Sequence, residues 1–79
     1  MARVLLFGPL RDIAGWRERE VAGGSIAEIR AALASEDPEL GAALVGKGVQ
    51  IAVDQAVVRG DCSLAPSAEV AFLPPMSGG

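Results

Sequence analysis

Apolar residues fall in short blocks along the chain, and each block has its own period. Arg3-Val4-Leu5-Leu6-Phe7 is brief and apolar and meets a Gly8-Pro9 breaker, which predicts a strand. Arg11 to Gly15 reads as a turn or one helical turn closed by Gly15. Trp16-Arg17-Glu18-Arg19-Glu20-Val21 is too charged for mid-sheet and suits an edge strand, where charge discourages pairing with another chain. Ser25 and Glu28 form a capping-box pattern, and Ile26, Ile29 and Leu33 follow at i, i+3 and i+7, the apolar stripe of a helix. Asp37-Pro38 either ends that helix or starts a short second one through Glu39-Leu40, up to Gly41 or Leu44. After a Gly46-Lys47-Gly48 turn, Val49, Ile51 and Val53 alternate with Gln50, Ala52 and Asp54 as in a half-buried strand. Asp54-Gln55 can turn the chain into a short strand at Ala56-Val57-Val58. A loop over Arg59 to Ser67 leads to a last strand, Glu69-Val70-Ala71-Phe72-Leu73, stopped by Pro74-Pro75. The order is β-β-α-β-β-β, an α+β layered domain.

One helix covers one face of such a sheet, and strand parity selects the side chains left over. If Val4, Leu6, Val70 and Phe72 meet the helix stripe, Leu5, Phe7 and Leu73 project from the other side. Three large apolar side chains on neighbouring strands would make an exposed patch of the kind that marks a partner surface.

Composition narrows the chemistry. Seventy-nine residues allow one domain, and with 51% apolar and 22% charged residues the chain is too apolar for intrinsic disorder. The net charge of −3, with no basic cluster, leaves nucleic acid without an electrostatic footprint. There is no histidine and one cysteine, Cys62, which removes Ser-His-Asp and Cys-His pairs, His-ligated metal, a zinc ribbon and a disulfide framework. No metal site is expected. No stretch approaches the ~20 apolar residues that span a bilayer, and Pro9 and Arg11-Asp12 interrupt the faintly signal-like start, so a cytoplasmic protein is expected. Cys62 reads as a small structural or loop cysteine, and Gly46-Lys47-Gly48 lacks the full phosphate-loop pattern.

What remains is the end of the sequence. Leu73-Pro74-Pro75-Met76-Ser77-Gly78-Gly79 carries no ionisable side chain. The prolines hold the backbone extended, and Ser and two Gly make the remainder slim. Five residues from Pro75 onward reach at most ~16–18 Å. A diglycine enters a channel that admits little more than backbone, which makes the Gly79 α-carboxylate the candidate reactive group. With a pKa near ~3.5 that carboxylate is ionised and a poor electrophile. It needs activation, most simply as an acyl-adenylate from ATP, after which a sulfur donor displaces AMP and leaves a thiocarboxylate.

These segments resemble the small sulfur-carrier subunits of molybdopterin synthase, a ubiquitin-like β-grasp family. The likeness runs through Val4–Gly8 with Arg11–Gly15, Ser25–Leu33, Ile51–Gln55 and Glu69–Gly79, and the last segment is the most specific. The resemblance implies a mixed sheet of about five strands with the first and last strands parallel at its centre and one main helix on one face. It implies a domain over residues 1–74 and a reactive tail over 75–79. It implies that an E1-like adenylating enzyme uses ATP on Gly79, that a sulfurtransferase supplies sulfur, and that no cofactor is bound by the chain itself. The tail, Pro75, Met76, Ser77 and Gly78, would then enter the large synthase subunit in an assembly of two small and two large subunits. There Gly79 would deliver sulfur to cyclic pyranopterin monophosphate, building the dithiolene of molybdopterin. The family's contact surface maps onto Phe7, Val57 and Leu73, with Arg11 as a polar contact to the activating enzyme. The chain departs from the pattern at Ala65-Pro66-Ser67-Ala68, where a Gly-Asp turn is usual, and at Asp54, where Asn is common. Two rivals share these features: a sulfur carrier for the thiamin thiazole or a thiolated tRNA base, and a ubiquitin-like binding module without sulfur chemistry.

Overall fold

In the computed structural model, which describes residues 1–75, the first apolar block forms β1 over Ala2–Leu6. The strand begins one residue earlier than expected because Ala2 pairs with Val21. It also ends one residue earlier. Leu6 N–H donates to Arg17 O at 2.9 Å as the last rung, and Gly8, at φ +58°, turns the chain out of the sheet. Pro9 starts a helix rather than breaking one. α1 spans Pro9–Ala14 with Pro9 in its first turn, where a missing N–H costs nothing. Gly15 closes it in the left-handed region, donating its N–H to Arg11 O at 2.9 Å. The single helical turn expected from Arg11 is therefore a six-residue helix. β2, Glu18–Val21, is an edge strand, and its Glu18 pairs with Arg3 at 3.3 Å.

α2 spans Ile26–Glu36. Ser25 Oγ accepts from Glu28 N–H at 3.2 Å, and the Glu28 carboxylate accepts from Gly24 N–H at 2.8 Å. The reciprocal bond thus reaches one residue beyond the cap residue's own N–H. Asp37 both ends α2 and caps α3, Pro38–Leu44, by accepting from Leu40 N–H at 3.2 Å. A second helix therefore joins the main one, packed so closely that a Cβ on Gly41 would overlap Ala34. β3, Gln50–Val53, turns through Asp54 and Gln55, both at positive φ (49° and 73°), into β4, Ala56–Val58. That is the two-residue turn whose twist matches a hairpin. Asp54 also accepts from Glu69 N–H at 3.0 Å, tying the turn to the start of β5, Glu69–Leu73.

The sheet order is β2-β1-β5-β3-β4, with β1 and β5 parallel at its centre and the other neighbours antiparallel. Val4, Leu6, Ile51, Val70 and Phe72 face Leu10 of α1, Ile26, Ile29 and Leu33 of α2, and Leu40 and Leu44 of α3. All three helices therefore bury their side chains in one core, on one side of the sheet. Among the described residues no helix is long and apolar enough to cross a membrane.

Candidate functional site

Register defines the face opposite the core. Leu5, Ala71, Ala52 and Val57 form one row across β1, β5, β3 and β4. The pairings Leu6 with Phe72 and Gln50 with Leu73, continued by one residue, put Phe7 beside Leu73 in the next row toward the C-terminal end of β5. Phe7 is 44% exposed and Val57 59%, whereas Leu5 and Leu73 are half-buried. Ala52 and Ala71 present only methyl groups between them. The face is therefore a shallow apolar trough, with Leu5, Phe7 and Leu73 on one bank and Val57 on the other, two strand spacings (~10 Å) from β5. The side chains that parity assigned to this face are there, and no described helix covers them.

The rim of this trough is cationic at one end. Arg11 and Arg17 line a depression of about 220 Å³ together with Leu5, Phe7 and Glu18. Arg59 follows β4 and Lys47 precedes β3, so topology brings both to the edge from which β5 leaves the sheet. All four are exposed, and the ion pairs among the described residues, Arg3 with Glu18 and Arg19 with Glu36, involve none of them. Arg11 is among the positions that the family resemblance singles out; Arg17 and Arg59 are not. Their signal lay in position, each standing just outside a strand end on the tail side.

β5 carries the chain past Leu73 to Pro74, half-buried, and Pro75, exposed. Met76, Ser77, Gly78 and Gly79, the remaining candidate tail residues, lie outside the described residues. Among the described residues no three His, Cys, Asp or Glu side chains come together as a metal site. Cys62 lies in a loop, packed against the core, with Sγ 3.3 Å from Ser63 O. Trp16 lies against the core edge under the Arg19 guanidinium, 5.3 Å from the ring centroid. Asp61 is structural: its Oδ1 accepts from Ala27 N–H at 2.9 Å and Cys62 N–H at 2.8 Å. Those backbone bonds, with Arg30 nearby, hold its carboxyl below the usual aspartate range.

A mixed five-stranded sheet with a central parallel pair and helices on one face is the ubiquitin-like β-grasp fold. Solved structures agree. The solution structure of small archaeal modifier protein 1 from Methanosarcina acetivorans is similar at TM-score 0.88, covering 99% of this chain and 95% of that one, at 24% identity. A chain of the Amycolatopsis orientalis BexX/CysO complex is similar at TM-score 0.87 with full coverage of both and 22% identity. At such identities the likeness is one of fold. In sequence, residues 4–79 match the ThiS family. The molybdopterin synthase sulfur carrier subunit of Escherichia coli (strain K12) is 33% identical, covering the whole of both chains. The chain belongs to the ThiS family, a family of ubiquitin-like sulfur carriers.

Proposed function

We propose that this protein carries sulfur on its last residue for molybdopterin synthesis. The observation that supports this most is the end-to-end match to the Escherichia coli sulfur carrier subunit, on a fold whose central strand runs into the Pro74–Gly79 segment. The chain's chemistry suits a carrier. It has no histidine to act as a base, so activation comes from outside. An adenylating enzyme joins the Gly79 carboxylate to the α-phosphorus of ATP with loss of pyrophosphate. A persulfide on a sulfurtransferase then displaces AMP to give an acyl disulfide, and a thiol reductant cleaves its S–S bond to leave the thiocarboxylate. The open trough of Phe7, Leu73 and Val57 docks on the partner, and Arg11 adds a polar contact at its rim. Residues 75–79 enter the large synthase subunit, where the thiocarboxylate sulfur attacks cyclic pyranopterin monophosphate and water hydrolyses the resulting thioester, leaving sulfur on the pterin and returning Gly79 as the carboxylate.

Reconstitution tests this reading. Purified chain, adenylating enzyme, ATP, a sulfur source, large synthase subunit and the pterin precursor together yield molybdopterin. Deleting Gly79, or adding one residue after it, abolishes product while leaving the melting temperature unchanged. Product formation by either variant contradicts the terminal-carboxylate mechanism. A thiocarboxylate that forms but fails to thiolate the pterin points instead to a carrier for another acceptor.

A further inference from the structure

The register that sets the trough also sets the root of the tail. Continued past β5, the parallel β1 pairing puts Gly8 opposite Pro74, and the antiparallel β3 pairing puts Gly48 opposite Pro75. Neither proline has an N–H to donate to a ladder, so half of the usual strand hydrogen bonding is missing here. Contact takes over. A Cβ on Gly8 would stand 3.0 Å from Pro74 Cγ, and one on Gly48 would stand 2.7 Å from Pro75 Cβ. The bare backbones of two loops, one from each strand flanking β5, thus press on consecutive proline rings. No L-residue with a side chain fits at Gly48 without displacing Pro75.

We infer that Gly8 and Gly48 form a clasp on Pro74 and Pro75 that sets the direction in which the reactive tail leaves the sheet, making them positioning residues for sulfur transfer. The inference rests on the reading of Gly79 as the reacting end. A side chain at Gly48 pushes Pro75 back by about 1 Å to reach an ordinary contact of 3.4–4 Å. A misplacement of about 1 Å from a change remote from the chemistry costs up to ~100-fold in rate. The docking trough is untouched by this displacement, so the larger part of the effect falls on turnover.

Gly48→Asn isolates the contact, because Asn tolerates the left-handed backbone that Gly48 adopts at φ +86°. Its comparison is the same substitution in a Pro75→Gly background, where the opposing Cβ is gone. In the reconstituted synthase reaction, Gly48→Asn lowers kcat about tenfold or more. Its Kd for the large subunit, by calorimetry, and its melting temperature stay near wild type. In the Pro75→Gly background the same substitution has no further effect. Equal losses in both backgrounds, or a wild-type kcat for Gly48→Asn, overturn the clasp. A proton–proton nuclear Overhauser contact between Gly48 and Pro75 in the wild-type chain reads the clasp without sulfur chemistry, and its absence overturns the clasp even where Gly48→Asn fails to fold. Wild-type chain that forms no thiocarboxylate under these conditions, while showing that contact, overturns the functional reading and with it the role in sulfur transfer, and leaves only the contact of the glycines with the prolines standing.

Discussion

Phe7 belongs partly to the fold and partly to the interface, and its exposure divides the two. At 44% exposed, a ring of roughly 200 Å² leaves about 90 Å² in solvent. Covering that area on a partner contributes about 2 kcal/mol at ~25 cal/mol per Å², so Phe7→Ala weakens association roughly 30-fold. The covered remainder of about 110 Å² costs ~3 kcal/mol of stability, an amount a domain with ~5–15 kcal/mol survives. The two effects are of like size but appear in different measurements. Calorimetric titration into the large synthase subunit reports the first loss and urea denaturation reports the second. Phe72→Ala is the contrast. Phe72 is fully buried on the opposite face, so its truncation costs ~3–5 kcal/mol of stability and leaves the contact face intact. Phe7→Ala that is destabilised yet binds with wild-type affinity refutes the assignment of this face to docking.

Other perturbations test the scaffold. Gly41→Ala forces α3 away from Ala34 of α2 and costs ~1–3 kcal/mol, read as a lower urea midpoint; a wild-type midpoint contradicts the close approach of the two helices. Ser25→Ala removes the acceptor for Glu28 N–H and lowers stability by about 1 kcal/mol in the same assay. Asp61 carries a pH signature, since its folded pKa is depressed by its backbone donors at the start of α2. Its contribution is present above the ordinary aspartate pKa and is lost as pH falls through the lower, folded value. Wild type is therefore destabilised more steeply by acid below about pH 4 than Asp61→Asn, which has no proton to take up there. Parallel acid-unfolding curves for the two proteins contradict this.

Much of the architecture is legible from period and parity. The stripe of Ile26, Ile29 and Leu33 and the alternation in β1 and β5 each name one buried face, and the structure buries those residues. The short elements were harder. Pro9 carries opposite meanings, breaker after a strand and first residue of a helix, and only the positive φ of Gly8 decides between them. Asp37 could end α2 or begin α3 because the same side chain does both. At the site, parity alone points to Phe7 and Leu73 and the family resemblance adds Val57, whereas local pattern without the strand order does not place Val57 on their face. The pressure of Gly8 and Gly48 on the prolines was beyond reach for the same reason. It depends on which strands flank β5, a long-range fact that local pattern does not carry.

In the proposed reaction the reacting group is the main-chain carboxylate of Gly79. The most direct measurement is the intact mass of the chain after incubation with ATP, the adenylating enzyme and a sulfur source, with fragmentation to locate any change. The expected result is a mass gain of one oxygen-for-sulfur exchange, confined to Gly79 and absent when ATP is withheld. An unchanged mass, or sulfur found on Cys62 instead, contradicts it.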